Sequence, residues 1–195
     1  MEFNEVINLR TNTYKWDDKI PALELIDQIV NGIHCHVPSK QRRVRYDMRI
    51  IPAHSMPELQ HKMYVGCKAD ADNPMSRYNP QVLAPFVIAF APRPAGNDGV
   101  ADGYYEHESD VEIGMAAMYV ALAAIDVGLA VGFCACIRNR TEMVNDLGIA
   151  PHLYLGVGYP AEGNQYHCPV YQTLVGIPDS DSQTKPPMNE YVKYV

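Results

Sequence analysis

In PALELIDQIVNGI (21–33), Leu23, Ile26, Ile29, Val30 and Ile33 recur near a 3.6-residue period. An amphipathic helix is therefore predicted over 21–34, with Pro21 in its first turn. A shorter helix is predicted over 2–10. RRVRYDMRII (42–51) and KMYVGC (62–67) alternate apolar and polar residues. They read as strands joined by a polar turn with a short helical piece near 56–61. VLAPFVIAFAP (82–92) is a short apolar run rich in β-formers, which suits a central strand. VGFCACI (131–137) and HLYLGVGYP (152–160) read as two more strands, with RTEMVNDLG (140–148) as a short helix between them. Residues 68–80 and 92–103 carry loop and turn chemistry.

DVEIGMAAMYVALAAIDVG (110–128) is apolar almost all round, and Gly128 marks its end as a C-cap. A helix with so little polar surface needs cover on several sides, and a subunit interface is one way to supply it. The segment 161–195 is polar and Pro-rich, too poor in apolar residues to form its own core. It is expected to be an arm docked on a partner subunit, as a strand on that partner's sheet edge. Helices dominate first, and strands and helices then mix. This order predicts a single α+β domain over 1–195 and not a regular βαβ series.

Composition narrows the function classes. A hydrophobic content of 47% and a charged content of 20% are those of a globular protein with a real core. A net charge of −7 argues against general nucleic-acid binding, which needs an excess of Lys and Arg. KQRRVR (40–45) is the one basic run, either a surface stripe or an anion site. The N-terminus lacks the basic start and apolar run of a signal peptide, and the apolar stretch 113–137 is broken by Asp126 and glycines. No membrane span is expected. Cysteines fall at 35, 67, 134, 136 and 168 with no CxxC, which predicts reduced thiols in a cytoplasm. His34-Cys35-His36 alternates as a strand would, but lacks the paired spacing of zinc sites, so no metal is expected. Cys134 and Cys136 would share a strand face, and a disulfide between them would be badly strained.

Polar clusters flank the apolar elements: Arg10-Thr11-Asn12, Pro38-Ser39-Lys40 with Arg42, Asn79 with Gln81, the small-residue run 132–136, and Lys185 in the tail. If brought together, they would supply cations and hydroxyls for a phosphate and amides for a polar heterocycle. In order and spacing these segments resemble the FMN-dependent nitroreductase family over nearly the whole chain. LRTNTYKW matches the family's R-x-S-x-R/K segment, and VPSKQRRVRY (37–46) its A-P-S-x-x-N-x-Q-P-W stretch. NPQVLAPFVIAF (79–90) matches N-x-Q-V…A-P. IGMAAMYVALAAIDVGLAVGF matches the Ala-rich helix ending in G-L-G, and LYLGVGYP the L-x-x-G-Y-P strand end.

The resemblance implies a mixed sheet flanked by helices, an intertwined homodimer with exchanged C-terminal tails, and FMN at the subunit interface. Arg10 would bind the phosphate, with Thr11 and Asn12 beside it, and Lys185 could also reach it. Pro38 and Ser39 would line the isoalloxazine from the partner, with Lys40 and Arg42 near them. Asn79 and Gln81 would reach the ribityl chain or ring edge. Phe133, Cys134, Ala135 and Cys136 would pass the O4–N5 edge, with an amide of Ala135 or Cys136 donating to it. Tyr104 and Tyr105 would stack on a flat substrate. The implied reaction is ping-pong hydride transfer from NAD(P)H through flavin N5 to a nitroaromatic, quinone or related acceptor.

Departures from the pattern leave two other readings open. Tyr14 stands where the family has a cation near flavin N1 and O2, Arg42 replaces its Asn, and Pro187 replaces the second basic residue of the tail pair. Lys40, Arg42 and Arg77 are the cations available to compensate. The same fold serves flavin-fragmenting and reductive dehalogenating members. A flavin-binding protein without turnover is the third possibility.

Overall fold

The computed structural model describes residues 1–10, 12–39, 44–67, 78–93 and 102–162, without the side chains of residues 34, 35 and 102–106. Among the described residues five α-helices and four strands follow one another: α1 (Phe3–Leu9), α2 (Leu23–His36), β1 (Tyr46–Ile51), α3 (Pro57–Gly66), β2 (Phe86–Pro92), α4 (Asp102–Asp126), β3 (Ala130–Cys134), α5 (Arg140–Leu147) and β4 (Leu153–Gly158). Two short 3-10 turns, Ala53–Ser55 and Pro80–Leu83, precede α3 and β2.

The strands lie in the order β1-β2-β4-β3. All three pairings are antiparallel, so the described sheet runs antiparallel where a mixed one is expected, while the α+β class holds. Side chains alternate between two cores, as the pleat requires. Phe86, Ile88 and Phe90 of β2, Val131 of β3, and Leu155 and Val157 of β4 face the α2–α4 layer. Val87, Ala89 and Ala91, with Cys134 and Tyr154, face the layer built by α3, α5 and the two 3-10 turns. With both faces covered, β2 reads as the continuous apolar run seen in the sequence.

Helix α4 lays small side chains against the sheet: Ala116, Ala117, Ala121 and Ala124 are fully buried, as is Val120. Small residues let the helix axis approach the strands closely, which explains the alanine-rich composition. Its other side leaves Val111, Met118 and Tyr119 exposed in the single chain, at 48%, 39% and 41%. Gly128 closes the helix with φ of 81°, as predicted for a C-cap, and Gly148 ends α5 the same way at 69°. Among the described residues no helix is long and apolar enough to cross a membrane.

Three local expectations fail for identifiable reasons. The segment 62–67, predicted as a strand, is the second half of α3. Pro57 starts that helix, and Leu59, Met63 and Gly66 form its buried stripe at i, i+4 and i+7. Alternation over six residues imitated a strand because the stripe is only one residue wide. His34-Cys35-His36 belongs to the last turn of α2, so the strand alternation that would put two histidines on one face does not apply. Helix α4, predicted from 110, already starts at Asp102, so Tyr104 and Tyr105, expected after the turn-rich excursion, lie at the beginning of this helix. The arm over 163–195 lies outside the described residues.

Candidate functional site

The site is built on glycines. Gly132 of β3 and Gly156 of β4 are directly opposed across the ladder. Neither carries a Cβ, and Gly158 continues the same face two residues along. The Cβ-free patch is a seat. A Cβ on Gly132 would meet the Thr13 carbonyl at 2.5 Å and Gln81 Cγ at 2.8 Å, and one on Gly156 would collide with the Gln81 carbonyl. Over Gly158 lie Pro85 and the Trp16 ring, at 2.6 and 3.2 Å from where a Cβ would stand. Glycine within a strand marks such a close approach. The 3-10 turn Pro80–Leu83 therefore rests on the sheet itself, and Gln81 is carried into the interior at 4% exposure.

The chain from Asn12 to Asp17 runs beside β3 and seals this edge of the sheet. Thr13 N–H donates to the Val131 carbonyl at 2.8 Å, and Asp17 N–H to that of Tyr159 at 2.9 Å. Asn12 Oδ1 accepts from the Phe133 amide at 2.7 Å, while its Nδ2 donates to the Tyr14 hydroxyl at 3.1 Å. Trp16 Nε1 donates to the Pro80 carbonyl at 3.1 Å and pins the turn from above. This segment brings Asn12 and Tyr14 to the strand that carries Phe133. Arg10 sits just before it as the half-buried C-cap of α1.

The sequence-predicted residues thus sort by place. Asn12, Tyr14, Gln81 and Phe133 to Cys136 are assembled around the end of β3, with Asn79 at the foot of the 3-10 turn. Asn79 Nδ2, Gln81 Oε1 and Thr13 Oγ1 are buried and have no hydrogen-bond partner of good geometry. Unpartnered buried amides and hydroxyls are costly, and their clustering fits a polar ligand that completes them. Strand β3 ends at Cys134, so Cys134 is buried while Ala135 and Cys136 leave the sheet and are exposed. The two thiols therefore do not share a strand face. The amides of Ala135 and Cys136, just beyond the strand end, are the candidates for donation to a ligand.

Pro38 and Ser39 follow α2, an element that packs on α4 and not on the glycine seat. Ser39 Oγ is buried without a partner. Thr11, Lys40, Arg42, Arg77 and Lys185, and the side chains of Tyr104 and Tyr105, lie outside the described residues. A cleft of about 360 Å³ opens near Tyr14 and is lined by Trp16, Asp17, Asp18, His54 and Gln60 among others. Its two carboxylates do not suit a phosphate.

Sequence reasoning missed the seat itself. Gly132 and Gly156, each inside an otherwise apolar strand, were the available signal. It also missed Trp16 as the pin and Tyr154 as the residue facing Cys134 across the ladder. Tyr154 is fully buried, its hydroxyl has no hydrogen-bond partner of good geometry, and burial pushes its pKa up, with Cys67 and Cys134 adding to the effect. Tyr154→Phe removes an unsatisfied buried hydroxyl and keeps the ring. Stability in urea should stay within about 1 kcal/mol of the parent or rise. A larger loss would reveal a partner for the hydroxyl.

No protein-family model and no curated protein matches the chain in sequence. Solved structures do match in three dimensions. A nitroreductase family protein from Clostridium novyi NT is 19% identical, with a TM-score of 0.67 over 85% of this chain and 90% of that one. A nitroreductase with bound FMN from Desulfitobacterium hafniense DCB-2 is 17% identical, with a TM-score of 0.68 over 100% of this chain and 98% of the other. An FMN- and NADPH-dependent nitroreductase from Sphigopyxis sp. strain HMH is 12% identical, with a TM-score of 0.69 over 100% and 99%. The chain thus has the fold of these nitroreductase-family structures, at 12–19% sequence identity.

Proposed function

We propose that the protein is an FMN-dependent NAD(P)H oxidoreductase that works as a homodimer and reduces nitroaromatic, quinone or related acceptors. The observation that carries this reading is the cluster of unpartnered buried polar atoms on Thr13, Asn79 and Gln81 beside the exposed end of β3. It stands on a fold whose solved examples include one with bound FMN. A flat heterocycle with donors and acceptors on its edge would satisfy those atoms.

When bound, FMN supplies hydride transfer between nicotinamide and acceptor. The chain's own residues would bind and orient. Arg10, at the end of α1, is the cation for the phosphate. Asn79 and Gln81 would hydrogen-bond the ribityl chain or ring edge, and the glycine seat holds Gln81 rigidly enough to do so. Asn12 fixes the Phe133 amide, and through it the strand end that presents the Ala135 and Cys136 amides. Pro38 and Ser39 would come from the second subunit. The exposed Val111, Met118 and Tyr119 face of α4 supports such a pairing, because a second copy would cover it.

Tyr14 favours the two other readings. Its hydroxyl accepts from Asn12 and brings no positive charge to the place where the family has one. That suits a flavin-binding protein without turnover, or a flavin-fragmenting or dehalogenating reaction. An absorbance spectrum of the purified protein, followed by anaerobic titration with NADH and NADPH, decides. A yellow protein bleached by either nicotinamide is the expected result. A colourless preparation that fails to take up FMN would sink every flavin reading, and a yellow one that neither donor bleaches would favour the alternatives.

A further inference from the structure

The Pro80–Leu83 turn does not hold itself. Its own backbone bond, from the Ala84 N–H to the Gln81 carbonyl, is 3.4 Å long, beyond the usual range for N–H···O. Partners outside the turn hold it instead. At its foot, Asn79 N–H donates to the carbonyl of Cys67, the C-cap of α3, at 2.7 Å. At its far end, Gln60 of α3 donates through Nε2 to the Val82 carbonyl at 3.2 Å and to the Ala84 carbonyl at 3.0 Å. Gln60 and Cys67 are about two helical turns apart, so both ends of the turn hang from one helix. Just beyond, the His54 N–H and ring Nδ1 both bond the Pro85 carbonyl, each at 3.0 Å.

The Gln60 bonds matter because Val82 and Ala84 are fully buried. A buried carbonyl without a donor is costly. A carbonyl oxygen only accepts, so the Gln60 amide nitrogen faces the pair and both its protons are engaged there. The seat of Gly132 and Gly156 keeps the turn from sinking into the sheet, but close packing from below does nothing to stop it lifting. Gln60 and Trp16 supply that restraint.

From this geometry we propose that Gln60 is a positioning residue for the flavin site. It holds the turn on the sheet and so fixes Asn79 and Gln81 beside the end of β3. The assignment deepens the flavin reading and rests on it. Gln60 does not need to touch the ligand, since it borders the cleft of Asp17 and Asp18, which does not suit a phosphate. Its action runs through the main chain. Without its two protons, the Val82 and Ala84 carbonyls gain by turning toward water, and the turn lifts. Asn79 Nδ2 and Gln81 Oε1 then leave their places, and a ligand that needs both must first reseat the turn. Affinity falls in proportion to the fraction of molecules that remain seated.

Gln60→Met tests this, because it keeps the length and the helix preference of the side chain and removes both donors. Trp16 is the single tryptophan of the chain, and its indole is bonded to the turn, so its emission reads the turn without any ligand. In flavin-free Gln60→Met, that emission should move to longer wavelength and become more open to acrylamide quenching. Titration into FMN, followed by flavin fluorescence, should give about tenfold weaker binding, the factor expected when the turn is seated about one-tenth of the time. Ile26→Val, a core truncation in α2 away from the turn, should lower stability and leave both readings at their wild-type values. Wild-type emission or wild-type FMN affinity in Gln60→Met would overturn the proposal. An equal loss of affinity in Ile26→Val would also overturn it, since the effect would then be one of general stability. Should Gln60→Met fail to fold, Gln60→Glu, with the shape of glutamine and neither donor, is read in the same way. Wild-type protein that takes up no FMN would sink the flavin reading, whereas equal uptake by wild type and Gln60→Met would sink this assignment alone.

Discussion

Replacing Gly156 with alanine should cost about 3 kcal/mol of stability, the upper part of the range for overpacking a tight interior. The new methyl group would collide with the Gln81 carbonyl and lie 2.9 Å from Ala84 Cβ. Neither contact is with a flexible side-chain end, since one is main chain and the other a Cβ fixed to it. The Pro80–Leu83 turn must therefore lift from the sheet, which also strains the Trp16–Pro80 hydrogen bond. For a chain of this length the thermal midpoint should fall by roughly 6–12 °C. Because Asn79 and Gln81 move with the turn, ligand uptake should fall as well. A control at Gly32 in α2, where an added Cβ meets nothing within 4 Å, should leave the midpoint nearly unchanged or raise it. A Gly156→Ala protein as stable as the parent would show that the turn is not seated as described.

Arg10→Ala should weaken FMN binding by about ten- to hundredfold, corresponding to the roughly 1.5–3 kcal/mol of a hydrogen bond to a charged group. Arg10 caps α1 through its main chain: its amide donates to the Val6 carbonyl at 3.1 Å and the Ile7 carbonyl at 3.2 Å. Those bonds survive truncation of the side chain, so the effect should fall on the ligand and not on the helix end. Titrating the apo-protein into FMN and following the quenching of flavin fluorescence reads the affinity. The loss should shrink at high salt, because the contact is ionic. An unchanged affinity would remove Arg10 from the phosphate site.

Much of this molecule is legible along the chain. Periodic apolar spacing located α2, and an apolar run ended by glycine located the second part of α4. A continuous apolar run located β2, and turn glycines located the ends of α4 and α5. These signals are local: they depend on which residues stand three, four or two places apart. The expected flavin residues were legible as ordered motifs, yet their convergence was not. Asn12 reaches Phe133 across 121 positions of sequence. Gln81 sits on two glycines that belong to separate strands.

The failures have the same origin. Met63 and Gly66 read as strand positions until the far side of α3 is packed against the sheet, because six residues do not distinguish a narrow helical stripe from alternation. Cys134 and Cys136 read as equivalent until the strand ends between them. Sequence by itself determined the α+β class, the helix that needs covering and the candidate residues for a phosphate and a polar ring. Only the tertiary structure decided that Gly132 and Gly156 oppose each other and that Gln81 is buried on them. Those are contacts between segments distant in sequence, fixed by strand order and close packing, and no local pattern along the chain encodes them.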